Sequence, residues 1–257
     1  MINKLIAFGL FALVGSPLLA NDVVILNGRV IDPETGLDAV RNVAIEDGTI
    51  TAISEFPMDG DTIVDATGHV IAPGFIDLHA HGQNIGDYRM QVMQGVTTAL
   101  ELESGVLPIS DWYDGQAAKG LPINYGASAG WTFGRIATFT DTDPLSTPGY
   151  FQAAQGRDDW KLDIATDEQS SRILGLVEQG LKDGALGIGI NAGYAPGYGQ
   201  KEYFALAKLA GSYGAATFTH VRYASNLEPQ SSFEAVSYTH LTLPTTWSRC
   251  RSRWWAC

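Results

Sequence analysis

The chain has 257 residues, of which 45% are hydrophobic and 17% are charged, a composition ordinary for a globular protein of one large or two smaller domains. The formal net charge of −12 argues against nucleic acid as a partner, because binding to phosphates requires clustered Lys and Arg. The same acidic balance is typical of a soluble protein surface.

The first 20 residues have the pattern of a secretory signal peptide. One positive charge, at Lys4, precedes the apolar run Leu5–Val14, and Ala20 is a candidate cleavage site. The run is too short to span a bilayer. We therefore predict a periplasmic or secreted protein with no membrane attachment after cleavage. An uncleaved N-terminal anchor is the alternative.

Residues 21–73 have the pattern of a small sheet of short strands. Apolar runs alternate here with three turn signals, Asn27-Gly28, Asp32-Pro33 and Asp47-Gly48. Asp47-Gly48 is the strongest of them, because both residue types tolerate the positive φ of a tight hairpin. About fifty residues of sheet bury little surface by themselves.

From Val70 onwards, strand and helix patterns alternate. The predicted strands are Val70–Leu78, Thr97–Glu103, Ile123–Ala127, Leu186–Ile190 and Ala216–Val221. The predicted helices are Ile85–Gln94, Ile109–Lys119, Asp167–Asp183 and Lys201–Tyr213. This alternation is typical of a parallel sheet covered by helices. The segment Ser128–Thr166 has no strong periodicity and is interpreted as a long excursion after the third strand.

The number of strands limits the fold class. An eight-stranded barrel typically occupies about 250 residues by itself, and this chain has too few strands to close one. We therefore predict an α/β fold, a (β/α)8 TIM-type barrel truncated after about the fifth strand.

Residues 237–257 differ in composition from the rest of the chain. They hold both Cys, three Arg and no Asp or Glu, and Ser237–Thr245 matches the in-frame translation of a transposase-based sequencing adapter. We interpret this segment as a non-native tail, with an authentic basic, aromatic tail as the alternative. Without it the chain has no Cys, which gives no disulfide framework.

A His pair is the first candidate for chemistry. His79 and His81 are two residues apart at the end of a predicted strand, so that both imidazoles point to one face. Converging neutral imidazoles at the mouth of a barrel are typical metal ligands. His220 ends a later strand, and we predict that all three bind metal. A hydrogen-bonded structural His is the alternative, which we favour for His69.

Two carboxylates are candidates for the same site. Glu101 and Glu103 lie on one face of a strand predicted to be buried, where a carboxylate is costly unless it is paired or binds metal. We predict Glu103 as a bridging or direct ligand, with Glu101 as a supporting residue or the alternate ligand. An ion pair with Lys or Arg is the competing interpretation.

Two further residues are weaker candidates for binding substrate. Arg222 follows His220 by two residues and is predicted to bind a substrate carboxylate, with a surface ion pair as the alternative. Tyr194 follows the fourth predicted strand, where a substrate loop and a plain turn are both open. The Gly-rich run Gly184–Gly199 matches neither a P-loop nor a dinucleotide-binding motif.

These stretches resemble a known family. Val70–Gly82 (VIAPGFIDLHAHG) resembles the first metal-binding strand of the amidohydrolase superfamily, and Gln94–Thr98 (QGVTT) resembles its second-strand motif. As a whole, Asp22–Val236 resembles the D-aminoacylase group, especially N-acyl-D-glutamate deacylases. The supporting stretches are Leu100–Glu103, Ile123–Ser128, Gly184–Gly189 and Thr219–Arg222.

The resemblance implies an architecture and a metal. It implies that residues 21–73 are a portion of a small β-sandwich and that residues 74–236 are a partial metal-dependent hydrolase barrel. It also implies one or two Zn ions, with His79 and His81 at one metal position and His220 at the other. The group has a Cys in a Gly-Asn-Cys-Gly setting where this chain has Glu103-Ser104-Gly105, so the number of metals stays open.

The resemblance also implies an activity. Metal-activated water would hydrolyse the amide bond of an N-acyl-D-amino acid, a small-molecule substrate, with N-acyl-D-glutamate as one candidate. An Asp and a further His are expected beyond Val236, so we expect an inactive fragment of an active full-length parent. The alternatives are a dihydroorotase-, hydantoinase- or dipeptidase-like enzyme, or a non-catalytic metal-binding protein on the same scaffold.

Overall fold

The computed structural model describes residues 21–81 and 84–222, so the predicted signal peptide and the predicted tail lie outside the described residues. The chain divides into two compact units, one ending at Pro73 and the other beginning at Gly74. None of the helices in the described residues has both the length and the hydropathy of a membrane span.

The first unit is a five-stranded sheet. Its strands are β1 (Asn21–Asp32), β2 (Leu37–Glu46), β3 (Thr49–Ser54), β4 (Gly60–Asp65) and β5 (Val70–Ile71). β1, β2 and β3 pair antiparallel in succession, whereas β4 and β5 both pair parallel to β1. Val24, Val43 and Ala44 supply buried side chains to this sheet, which is held together by the burial of small β-branched and Ala side chains.

Two predicted hairpin signals in this unit have different outcomes. Asp47 (φ 49°) and Gly48 (φ 71°) join β2 to β3 by the two-residue turn that was predicted. The prediction of a hairpin at Asn27-Gly28 was wrong. Asn27 (φ 63°) lies inside β1, where the register against β2 shifts between Ile25 and Gly28. A β-bulge and a hairpin turn can both contain a residue in the left-handed conformation. The residue types Asn-Gly alone therefore do not distinguish a bulge from a turn.

The second unit contains a curled parallel sheet of five strands, which confirms the predicted half of an α/β barrel. Its strands are β6 (Phe75–Asp77), β7 (Val96–Val106), β8 (Asn124–Gly130), β9 (Gly187–Ile190) and β10 (Ala216–Thr219). They follow one another in chain order across the sheet, and each pairs parallel to the next. The carboxyl ends of all five strands therefore lie at one edge of the sheet.

Helices alternate with these strands. They are α1 (Ile85–Val92), α2 (Ile109–Ala117), α3 (Trp131–Thr140), α4 (Pro148–Ala154), α5 (Asp159–Leu162), α6 (Asp167–Lys182) and α7 (Gln200–Ser212), with a short 3-10 helix at Ala192–Tyr194. A Thr166/Gln169 capping box fixes the start of α6. The core between helices and sheet includes the fully buried Trp131, Trp160 and Ile173.

Two sequence predictions about elements were wrong. Val70–Leu78 is not one strand, because β5 belongs to the first sheet and β6 to the second. Pro73 separates them, and proline has no N–H with which to continue a ladder. The excursion Ser128–Thr166 contains three helices, α3, α4 and α5. α3 is buried from Trp131 through Thr138, so it has no polar face and no amphipathic period to detect.

A buried ion pair joins α3 to α7. Arg135 is 0% exposed and donates from a terminal guanidinium nitrogen to Glu202 Oε2 at 2.6 Å. Trp131 Nε1 donates to the other carboxylate oxygen at 2.6 Å, and the backbone carbonyls of Trp160 and Asp163 accept from the same guanidinium. Burial lowers the pKa of Arg135, while the Glu202 carboxylate opposes that effect. The pair is thus fully hydrogen-bonded, as a buried charge requires.

Candidate functional site

The carboxyl ends of three strands bring the predicted site residues together. His79 and His81 follow β6, Glu101 and Glu103 lie on β7, and His220 follows β10. The pairing of Asp77 on β6 with Ala99 on β7 sets the His pair beside the two carboxylates.

Two imidazoles face one carboxylate oxygen. His81 Nε2 lies 3.2 Å from Glu103 Oε2, and His79 Nε2 lies 3.5 Å from the same atom. One ligand atom from each of these three residues lies within 4.8 Å of the other two. Two imidazole nitrogens and a carboxylate oxygen are a common protein donor set for a divalent cation, and they leave further coordination positions open. The chemistry and spacing of these residues therefore fit a metal ion.

Glu101 holds the far side of the His81 ring. Its side chain is 4% exposed, and its two oxygens lie 2.9 and 3.2 Å from His81 Nδ1. In the neutral imidazole, a hydrogen bond from Nδ1–H to a carboxylate leaves the lone pair on Nε2, the nitrogen that faces Glu103.

The electrostatics of the site follow from these contacts. Hydrogen bonds to Glu101 and then to Glu103 raise the pKa of His81 to about 10. Burial acts to raise the pKa of Glu103, but the hydrogen bond from His81 and the charges of His220 and His79 hold it below its ordinary value. A cation that binds His81 Nε2 must displace a proton, so metal binding is coupled to proton release.

His220 contacts the other oxygen of Glu103. Its Nδ1 lies 2.5 Å from Glu103 Oε1, and its ring lies 5.4 Å from the ring of Tyr194. The structure thus arranges His79, His81 and His220 around a single carboxylate.

Arg222 and His69 have other contacts. An Arg222 terminal nitrogen donates to the Pro196 carbonyl at 2.9 Å, and its guanidinium lies 5.2 Å from the Tyr198 ring. His69 lies in the first unit, where its Nδ1 is 3.1 Å from the carbonyl of Thr67.

Asn191 is a site residue that the sequence analysis missed. It directly follows β9, is 3% exposed, and its side-chain amide lies against Glu103 and Ser104. Its position immediately after the fourth strand of the sheet could have indicated it, because the other polar site residues also lie at the carboxyl ends of strands.

A cleft of about 230 Å³ opens beside the site. Its apolar wall includes Phe133, Pro148, Phe151 and Tyr194, and the Phe151 and Tyr194 rings lie 5.7 Å apart. Among the described lining residues the charged side chains are His81 and the two glutamates, with no Lys or Arg. The cleft therefore suits a small ligand with an apolar portion.

Comparisons with known proteins agree with this geometry. Residues 62–123, which include the His pair and both glutamates, match the model of an amidohydrolase family. This segment of the chain is therefore similar to amidohydrolases. Over 65 residues the chain is 48% identical to a dihydroorotase of Streptococcus pneumoniae, covering 25% of this chain and 15% of that protein.

Longer matches are to D-aminoacylase-type amidohydrolases. A D-aminoacylase of Alcaligenes xylosoxydans xylosoxydans is 27% identical over 220 residues, covering 78% of this chain and 44% of that protein. The solved N-acyl-D-glutamate deacylase of Bordetella bronchiseptica, complexed with zinc and a phosphonate inhibitor, superposes with a TM-score of 0.68 at 21% identity. That match covers 85% of this chain and 49% of the deacylase. The chain thus spans about half the length of these relatives, or less.

Proposed function

We propose that the full-length protein is a zinc-dependent hydrolase of the amide bond in N-acyl-D-amino acids, and that this chain supplies part of its metal centre. The observation that carries the proposal is the convergence of His79, His81 and Glu103 beside a cleft. Imidazole nitrogen and carboxylate oxygen are ordinary zinc ligands, which supports zinc. The likeness to D-aminoacylase over 220 residues supports the substrate class.

Each residue has a distinct role in this proposal. His79 and His81, whose Nε2 atoms face Glu103 Oε2, would hold the cation, and Glu103 would supply the anionic ligand. Glu101 holds His81 in the tautomer that presents Nε2. Bound there, a divalent ion would polarise an amide carbonyl and lower the pKa of water.

The roles proposed for Tyr194 and Arg222 concern the substrate. Tyr194 lines the cleft next to His220, where its ring contacts a bound acyl or side-chain group. Arg222 is proposed to bind the substrate carboxylate, which requires its guanidinium to move from the Pro196 carbonyl.

A dihydroorotase-like reaction is the second candidate. The identity of 48% over 65 residues to a dihydroorotase favours it, because that enzyme class also acts on an amide, within a ring. N-acyl-D-glutamate is a less natural ligand for the described part of the cleft, where no Lys or Arg faces a second carboxylate.

The experiment is a substrate panel with the full-length protein, first stripped by a chelator and then reloaded with Zn²⁺. We expect release of the free amino acid from N-acetyl-D-amino acids, little from their L-enantiomers, and none without metal. His79→Ala should abolish turnover, whereas the matched variant His69→Ala in the first unit should retain it. Turnover of dihydroorotate without deacylation would favour the second candidate, and inertness toward every substrate would refute hydrolysis.

The protein is also proposed to be exported to the periplasm or secreted, on the pattern of residues 1–20. N-terminal sequencing of the mature protein tests this, with cleavage near Ala20 expected. An intact Met1 would contradict it.

A further inference from the structure

Asn191 contacts both the backbone and the side chain of Glu103. In the amide orientation that satisfies every partner, its nitrogen lies 3.0 Å from both the backbone oxygen and the Oε1 of Glu103. Its amide oxygen accepts from Ser104 Oγ at 2.8 Å. The opposite orientation would set the amide oxygen against two acceptors, so only this one is compatible with the contacts.

The backbone of β9 brings Asn191 to this position. Gly189 lies so near β7 that a Cβ there would be 2.6 Å from the Leu102 carbonyl oxygen and 2.8 Å from that of Glu103. A side chain at Gly189 would therefore push β9 away from β7. The close approach allows the short Asn191 side chain, two residues later, to reach the Glu103 carboxylate.

The two oxygens of Glu103 are consequently in different environments. Oε1 accepts from the Asn191 amide and lies 2.5 Å from His220 Nδ1. Oε2 faces the Nε2 atoms of His79 and His81. Because Asn191 also binds the backbone oxygen of the same residue, it restrains rotation of the Glu103 side chain relative to its own strand.

We infer that Asn191 is a positioning residue, which holds the Glu103 carboxylate so that Oε2 is presented to the cation between His79 and His81. The inference rests on the proposed metal centre. Asn191 acts through Glu103, in the way that outer hydrogen-bond partners orient metal ligands in general. It predicts an effect on metal affinity and ligand geometry that does not depend on any substrate.

The test is the affinity of the full-length protein for Zn²⁺, measured by competition with a chromophoric chelator. Asn191→Ala should weaken Zn²⁺ binding by about 10–100-fold, the range for loss of such an outer partner. The visible absorption bands of bound Co²⁺ should also change, because the carboxylate is free to reorient. Thr138→Val is the matched control: Thr138 is 8% exposed and bonds the Gly134 carbonyl away from the cleft, so its loss should leave Zn²⁺ affinity unchanged.

A second variant distinguishes a loss of positioning from a loss of folding. Asn191→Ser keeps one hydrogen-bond donor in a smaller side chain, and it should weaken Zn²⁺ binding in the same direction, with a native circular dichroism spectrum. Wild-type affinity and an unchanged Co²⁺ spectrum in a folded Asn191 variant would overturn the positioning role alone. Absence of Zn²⁺ binding by the wild-type full-length protein would overturn the metal centre and the positioning role together.

Discussion

Each ring nitrogen of His81 faces a different carboxylate, and this arrangement organises the candidate site. Glu101, on the buried side, accepts from Nδ1, while Glu103 lies on the side of Nε2 and the cleft. The two glutamates are separated by one residue on β7, yet their proposed roles are unequal: Glu101 would orient a ligand, and Glu103 would be a ligand. That division follows from depth in the barrel, since Glu103 is nearer the carboxyl end of its strand.

Removal of the Glu103 charge tests this division directly. Glu103→Gln keeps the shape of the side chain but eliminates the anionic ligand, and we expect Zn²⁺ affinity to fall by at least about 100-fold, beyond the range for outer partners. Titration calorimetry of the metal-free chain measures this. Glu34→Gln, on an exposed turn of the first unit, is the matched control. Equal affinities for the two variants would contradict the assignment of Glu103.

Tyr88, a buried residue of α1, links the site to pH-dependent stability. Burial, followed by the charge of Glu101, raises the pKa of Tyr88 to about 12. Because the unfolded value is about 10, the folded state retains this proton longer. The associated stability is complete below pH about 10 and is lost as the pH rises through about 12.

We therefore expect Tyr88→Phe to lose less stability than the wild type does between pH 10 and 12. Urea unfolding across this range measures the difference. Tyr194→Phe is the control, because its ring is 45% exposed. Parallel stability profiles for the wild type and Tyr88→Phe would contradict the expectation.

At the scale of elements, the Arg135–Glu202 pair fixes α3 against α7. Arg135→Met leaves the Glu202 carboxylate buried without its cation, and we expect a loss of about 3–5 kcal/mol in the free energy of unfolding. Arg157→Met removes an exposed pair with Asp159 instead, with an expected loss of about 0–1 kcal/mol. Urea denaturation of both variants provides the comparison, and similar losses would show that the buried network stabilises little.

Most elements of the second unit were predictable because their apolar periodicity is strong. Asp167–Lys182, for example, differs from the predicted helix by one residue at its end. The exceptions have physical causes. α3 is buried all round and therefore lacks an amphipathic pattern. β5 and β6 are adjacent in sequence and belong to different sheets, and sheet membership depends on distant partners that a local pattern does not contain.

At the scale of the whole molecule, the half-barrel fold was predictable from the order of strands and helices. Strand order brings His220 and Glu103 together although they are 117 residues apart. The part played by Asn191 was not predictable, because it depends on how closely β9 approaches β7 at Gly189. The distance between β9 and β7 depends on how the whole sheet packs, and no single segment of the sequence determines it.

The strand that carries the His pair is short. β6 has three residues, and in the described sheet it pairs only with β7. Beyond it, the bond from the Ala80 N–H to the Leu100 carbonyl, at 3.0 Å, continues the attachment to β7. A cation bound by His79, His81 and Glu103 would link this segment to β7. Metal binding should therefore be coupled to local ordering of the segment. Amide hydrogen exchange in residues 75–81 should therefore slow when Zn²⁺ is added, while exchange in α6 stays constant; an equal response in both segments would argue for a global effect instead.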